Sequence, residues 1–171
     1  GGASFRTGVS KGKYVNTLAF GAYNRAEFLK VGAYDEELIR NQDEEFNYRI
    51  IQNGGKIWID PSIKSLYYVR NSILKLFSQY FYYGFYKVRV IQKIKSIFSL
   101  RHFVPAIFVL TLILFVVIAI FQKIYWPIFF LGGVYLFVNI TFSIYESLKS
   151  HAKSLVLLPV IYFIMHLSYG I

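Results

Sequence analysis

The chain contains no cysteine, and its acidic residues are few. Without cysteine there can be no disulfide bond and no thiolate ligand for a metal ion. Only 9 acidic residues stand against 19 lysines and arginines among 171 residues, so the formal net charge is +10 at pH 7. A positive charge of this size is compatible with nucleic acid or anionic lipid as a partner.

Charged side chains are nearly absent from the last 70 residues. Of the 19 basic and 9 acidic residues, 16 and 8 lie in residues 1–101. Three uncharged runs follow, and each has close to the ~20 apolar residues that cross a bilayer. We therefore expect three transmembrane helices, because such runs leave too little polar surface for a soluble bundle. Their predicted positions are about 103–121, 125–144 and 154–171.

A basic cluster precedes the first apolar run, and no acid interrupts it. By the positive-inside rule, this cluster places residues 1–101 in the cytoplasm and the chain in the plasma (inner) membrane as a multi-pass protein. Because the cluster adjoins a predicted span, anionic lipid is a simpler partner than nucleic acid. Its members are Lys75, Lys87, Arg89, Lys93, Lys95 and Arg101.

A segment between the soluble part and the spans is rich in aromatic residues. Seven of the ten residues 77–86 are aromatic, and apolar residues from Ile73 onward follow a helical spacing. Such a helix suits the membrane interface, although ordinary packing against the soluble part would explain it too. We thus divide the chain into residues 1–70, an interfacial region at 71–101 and a membrane region at 102–171.

Three consecutive acids, Asp43-Glu44-Glu45, begin a predicted helix that runs from Gln42 to about Gln52. Asn41 and Glu44 fit a capping box, and Glu45 can pair with Arg49 four residues later. Acids in a first helical turn are also favoured by the helix dipole. A structural role therefore accounts for all three acids, while one carboxylate could instead act as a general base. The spacing leaves both interpretations open.

The remaining local predictions concern short elements of residues 1–70. Glycine and serine predict a loop at residues 1–13. A short helix is expected near 25–31, stopped by Gly32, and a strand at 56–60, ended by Pro61. A second extended segment is expected at 63–70.

Residues 20–61, "FGAYNRAEFLKVGAYDEELIRNQDEEFNYRIIQNGGKIWIDP", resemble a family 2 glycosyltransferase with the GT-A fold. The resemblance is to the membrane-bound succinoglycan-type glucosyltransferases of bacterial exopolysaccharide synthesis, and it extends over nearly the whole chain. It implies an α/β fold class: the acceptor-side half of a GT-A domain, followed by an α-helical transmembrane region.

The resemblance also implies roles for particular residues. A Glu-Asp pair opens the catalytic helix of the family, and here it corresponds to Gln42-Asp43, so Asp43 is the expected general base. Glu45 aligns with a second acid that shapes the acceptor site. Gly21 and Arg25 correspond to an acceptor-lining segment, although Asn24 replaces the first of its two arginines.

Processive relatives carry a Gln-x-x-Arg-Trp motif on an interfacial helix, and no such motif occurs here. Gln79 and Tyr83 are the expected substitutes on a comparable helix, and Arg70 is expected to contact a phosphate. The Asp-x-Asp motif that binds a divalent cation, Mg or Mn, belongs to the donor half of the family. Since it is missing, we expect the chain to be a fragment, inactive alone and without metal ligands of its own.

For the full-length enzyme, the resemblance implies inverting transfer from a nucleotide sugar to a lipid-linked or polysaccharide acceptor. Two alternatives remain on the residues alone. A non-catalytic membrane adaptor would explain the basic part and the anchor, but not the pattern of residues 20–61. A transporter fragment would be favoured by ionisable residues inside the spans. The first two predicted spans have none, and the third has only His166.

Overall fold

The computed structural model describes residues 10–64, 66, 68, 70–95, 100–150 and 156–171. The chain divides into two compact units, one formed by residues 1–69 and 86–96, the other by residues 70–85 and 97–171.

The first unit holds a small antiparallel sheet and two short helices. Its elements are β1 (Lys13–Val15), α1 (Arg25–Val31), α2 (Gln42–Gln52) and β2 (Ile57–Ile59). The two strands pair with Tyr14 opposite Trp58. The helices predicted at 25–31 and 42–52 and the strand at 56–60 are confirmed, whereas Lys13, expected in a loop, belongs to a strand.

The core of the first unit forms where the strands and α2 turn apolar side chains inward. Alternate residues of β2 are buried, as expected for a strand with one covered face. Phe46 of α2 is completely buried. The buried apolar residues of this unit are Leu38, Phe46, Ile57, Ile59 and Val90.

Helix α3 (Ile73–Ile94) contributes to both units, since residues up to Phe85 belong to the second unit and residues from Tyr86 to the first. The helix predicted from the aromatic spacing is confirmed. Residues 63–70, expected as an extended segment, form no strand where they are described, and positions 65, 67 and 69 lie outside the described residues. The first nine residues of the predicted loop at 1–13 lie outside them as well.

The second unit continues with a 3-10 helix and three apolar helices. These are Leu100–Phe103, α4 (Val104–Gln122), α5 (Trp126–Ser150) and α6 (Leu157–Gly170). By length and composition, α4 and α5 are long and apolar enough to cross a membrane. α6 has 14 residues, about 21 Å of helix, which is shorter than a bilayer core of roughly 30 Å. The predicted start of the third span, residue 154, lies outside the described residues.

Polar side chains join the apolar helices inside the second unit. The buried Asn139 of α5 donates to the backbone carbonyl of Pro159 in α6 at 3.0 Å. The Tyr135 hydroxyl lies 3.0 Å from Nδ1 of His166. A Cβ at Gly84 of α3 would collide with the backbone of Tyr169, so these two helices touch at this point.

The described residues are thus mostly helical, with one two-stranded sheet. The predicted α/β part therefore contains both helices and strands, and the predicted helical part contains helices. The partial GT-A fold stays a prediction.

Candidate functional site

Asp43 lies in the first turn of α2, and its side chain is half-buried. Burial, a hydrogen bond with Tyr34 and the negative charge of Asp43 together raise the pKa of Tyr23. The Asp43 carboxylate therefore lies close enough to the Tyr23 phenol to influence it electrostatically. Asn47, one turn after Asp43, accepts a hydrogen bond from the Tyr23 hydroxyl at 3.1 Å, so the predicted base is on the face of α2 that contacts the 21–25 segment, which the resemblance connects with the acceptor.

Glu44, the next acid, forms an ion pair with Lys87 of α3. The Lys87 ammonium donates to both carboxylate oxygens, and both side chains are largely buried, with 8% and 19% of the Lys87 and Glu44 side chains exposed. The predicted capping box is wrong. Asn41 adopts a left-handed conformation and makes no side-chain cap, and Glu44 turns toward the lysine because a charge buried to this degree requires a partner.

Glu45 is almost completely buried and is bound by Arg49, as the spacing predicts. Nε and Nη2 of Arg49 donate to the two carboxylate oxygens at 2.6 and 2.8 Å. The same guanidinium donates to the carbonyls of Val31, Gly32 and Ala33 at 2.9, 3.1 and 2.8 Å. All five N–H donors of an arginine are thereby used. Glu45 thus fixes the arginine that holds α2 to the end of α1.

Phe46 and Asn47 anchor the middle of α2. The Phe46 ring lies about 5 Å from each of three aromatic rings, at 5.0, 5.0 and 4.9 Å between centroids for Tyr23, Phe28 and Tyr34. Asn47 is fully buried, and its oxygen accepts from the Tyr23 hydroxyl at 3.1 Å. Its nitrogen donates to the Leu18 carbonyl at 2.8 Å. The segment before α1 is therefore tied to the helix that carries Asp43.

The other predicted residues of the first unit surround this arrangement. Gln42 is exposed, and its amide nitrogen can donate to the Leu38 carbonyl at 2.6 Å. Arg25 is the first residue of α1 and is exposed. A Cβ at Gly21 would come within 2.7 Å of the Tyr23 ring, so the ring requires glycine there.

Arg70, Gln79 and Tyr83 belong to the second unit. Arg70 is exposed and precedes α3. Gln79 donates to the Tyr83 hydroxyl at 2.9 Å, one helical turn away. The expected roles of these three residues stay predictions.

An open depression of about 410 Å³ lies in the first unit. It includes Glu45 and Arg49 but not Asp43. Lys93 at its edge binds Asp35 and Glu37 at 2.5 and 2.6 Å, and the hydrogen bond from Lys93 is the main reason that the pKa of Asp35 is lowered. The depression is therefore lined by groups that already bind one another.

Among the residues that the structure describes, no three histidine or acidic side chains come together as metal ligands. The divalent cation stays an expectation for the full-length enzyme.

Sequence reasoning missed Tyr23, Asn47 and Lys87. Tyr23 is the unspecified position of the acceptor-lining segment, and Asn47 lies one turn after Asp43, so spacing offered a weak signal for both. Lys87 pairs with an acid 43 residues earlier in the chain, a distance over which no local pattern exists.

Comparison with known proteins identifies two relatives, a glucuronosyltransferase and a succinoglycan biosynthesis protein. The chain is 28% identical over 174 residues to the dolichyl N-acetyl-alpha-D-glucosaminyl phosphate 3-beta-D-2,3-diacetamido-2,3-dideoxy-beta-D-glucuronosyltransferase of Methanococcus voltae. That match covers 99% of this chain and 50% of the relative. The resemblance to glycosyltransferases predicted from the sequence is confirmed.

A second relative is the succinoglycan biosynthesis protein ExoA of Rhizobium meliloti (strain 1021), 32% identical over 105 residues. The match covers 61% of this chain and 32% of that protein. The chain thus spans half or less of the length of these curated relatives. No protein-family model and no solved structure matches it.

Proposed function

We propose that the chain is part of a membrane-anchored inverting glycosyltransferase that moves a sugar from a nucleotide sugar to a lipid-linked or polysaccharide acceptor. The names of its relatives support the reaction class, since one acts on a dolichyl-phosphate-linked sugar and the other serves succinoglycan biosynthesis. The name of the second relative specifies neither a donor sugar nor a linkage, so the proposal names classes only.

Asp43 is the general base in this proposal. Its two acidic neighbours are each bound to a cation that joins α2 to another element, Glu44 to Lys87 and Glu45 to Arg49. Asp43 is half-buried in the first turn of α2, one turn before Asn47, whose amide oxygen accepts from the Tyr23 hydroxyl of the acceptor-lining segment at 3.1 Å. This position, on the face of α2 that the acceptor-lining segment contacts, is the observation that carries the proposal.

The proposed step is a direct displacement. Asp43 accepts the proton of an acceptor hydroxyl while that oxygen forms a bond to the anomeric carbon of the donor. The bond from that carbon to the nucleotide diphosphate breaks, and the configuration inverts. The first turn of α2 favours an anionic side chain because the positive end of the helix dipole lies there. A divalent cation would stabilise the leaving diphosphate, but the described residues offer no ligand set for it, so no step here depends on one.

The membrane anchor in this proposal brings the catalytic part close to its acceptor. Helices α4 and α5 would hold the catalytic part at the inner surface of the plasma membrane, where a lipid-linked acceptor presents its head group. Two of the basic residues before α4, Lys87 and Lys93, are bound to acids of the first unit. The remaining positive charge of this cluster would attract anionic lipid and keep residues 1–101 on the cytoplasmic side.

The test replaces Asp43 with asparagine in the longest native protein that carries this chain. We expect sugar transfer to fall by about 10²–10⁴-fold, with unchanged expression and unfolding temperature. Asp60→Asn is the matched control, because Asp60 is an acid of the same unit that binds Ser62 after β2. Transfer that survives Asp43→Asn at the level of the control would refute the role of Asp43.

A further inference from the structure

The outer face of the two-stranded sheet carries two exposed aromatic rings. Tyr14 and Trp58 lie opposite each other, are 65% and 50% exposed, and make an edge-to-face contact at 5.0 Å between ring centroids. The Lys56 ammonium lies 5.6 Å from the centroid of the Tyr14 ring. We call Tyr14, Lys56 and Trp58 the aromatic face.

A Cβ at Gly12 would collide with the Trp58 ring, so the indole lies directly against the backbone that leads into β1. The pKa of Asp60 is lowered by hydrogen bonds from Ser62 and, to a smaller extent, from Trp58. Half of the Trp58 side chain stays exposed.

The segment that follows β2 also exposes large apolar side chains. They are exposed to 79%, 90% and 87% and belong to Ile63, Leu66 and Tyr68. Exposed apolar groups that form a large patch mark interaction sites, and these three follow Trp58 closely in the chain.

The charges in the two strands and in the residues next to them are mostly positive. Among the described residues 10–15 and 56–64, four are exposed lysines and one, Asp60, is an acid; Lys56 lies against the Tyr14 ring, whereas Lys13 alternates with Tyr14 along β1 and so points to the other face. The lysines are Lys11, Lys13, Lys56 and Lys64. Tryptophan and tyrosine prefer the boundary between water and lipid, and lysines next to them are attracted by anionic head groups.

We propose that the aromatic face and the segment after β2 dock on the surface of an anionic bilayer. Trp58 and Tyr14 enter the head-group region, and the lysines bind lipid phosphates. This contact is separate from the apolar helices and from the basic residues of α3. It does not depend on Asp43 being a base, because it requires no chemistry at the proposed active site.

The chain offers a direct test because it has only two tryptophans. Trp126→Phe leaves Trp58 as the only tryptophan in the full chain, reconstituted in vesicles of phosphatidylcholine with or without phosphatidylglycerol. We expect Trp58 emission in the anionic vesicles to be quenched by acyl-chain-brominated lipid and shielded from acrylamide in the water. Trp58→Phe, which leaves Trp126 at the start of the apolar α5, is the positive control for quenching by lipid.

A second experiment tests whether the lysine charges contribute to docking. Replacing Lys56 and Lys64 with glutamine in the Trp126→Phe background should lower the ratio of docked to undocked Trp58 by about fivefold per lysine. The matched control is Lys30→Gln on α1, whose side chain is 69% exposed and away from the sheet in sequence. This control should leave the ratio unchanged.

Four results would overturn the proposal. Trp58 emission that is quenched by acrylamide but not by brominated lipid would show a face in water. Emission that neither reagent quenches would show a face covered by protein. Equal quenching in both kinds of vesicle, or an equal effect of Lys30→Gln, would remove the role of anionic lipid at this face.

Discussion

At the scale of single residues, three neighbouring acids of α2 have three different surroundings. Glu44 is bound by Lys87 of α3, and Glu45 is bound by Arg49 of the same helix. The negative charge of Asp43 helps to raise the pKa of Tyr23. The local spacing predicts the Glu45–Arg49 pair because both partners are on one helix. It cannot predict Lys87 as the partner of Glu44, because that contact depends on the tertiary fold.

The Glu44–Lys87 pair gives a stability prediction. Lys87→Met leaves the largely buried Glu44 carboxylate without its cation, and we expect the free energy of unfolding to fall by up to about 3 kcal/mol. The double variant with Glu44→Gln should lose less, because no buried charge then remains. Thermal unfolding in detergent, followed by circular dichroism, measures both.

The exposed pair Glu27–Lys30 provides the control for that experiment. Its atoms are 3.8 Å apart, and both side chains are about two-thirds exposed. Glu27→Gln should change stability by less than about 1 kcal/mol. An equal loss for Lys87→Met and Glu27→Gln would contradict the assignment of a buried pair.

At the scale of elements, helices were predicted better than strands. The bounds of α2 follow from its acids and from the Asn53-Gly54-Gly55 stop, which are local signals. β1 was missed because its strand character comes from pairing with β2, more than 40 residues later in the chain. The Asn41 cap was predicted from residue preference alone, and the backbone conformation of Asn41 excludes it.

Helix α3 supplies a prediction at this scale. Gly84→Leu puts a side chain where α3 touches the backbone of α6, and we expect a loss of about 1–3 kcal/mol from overpacking. Gly133→Ala in α5 is the matched control, because a Cβ there meets nothing within 4 Å. It should be neutral or stabilising by up to about 1 kcal/mol, since alanine favours a helix over glycine. The unfolding temperature in detergent distinguishes the two, and equal temperatures for both variants would argue against the α3–α6 contact.

At the scale of the whole molecule, composition marks where the apolar helices begin. Charged residues become rare after Arg101, and α4 starts at Val104. The division into residues 1–70, 71–101 and 102–171 stays a prediction. The length of each helix could not be read from composition, because α5 continues through charged residues to Ser150 and α6 is shorter than its apolar run.

The proposed orientation in the membrane can be tested by thiol labelling, because a cysteine introduced into this 171-residue chain is the only thiol in it. Lys123→Cys, between α4 and α5, should react with a membrane-impermeant maleimide in intact cells. Lys30→Cys should react only after the cells are broken open, since the basic residues keep the first unit inside. The reverse pattern would refute the orientation.

The arrangement around Arg49 has a consequence for natural variation. A lysine has only three donors on one nitrogen and cannot reproduce a planar fork that serves a carboxylate and three carbonyls at once. Substitution of Arg49 therefore leaves several hydrogen-bond acceptors unsatisfied at once. Substitution of Glu45 leaves the Arg49 guanidinium without its carboxylate partner. Orthologues are expected to keep both side chains or to replace both, so positions 45 and 49 should vary together.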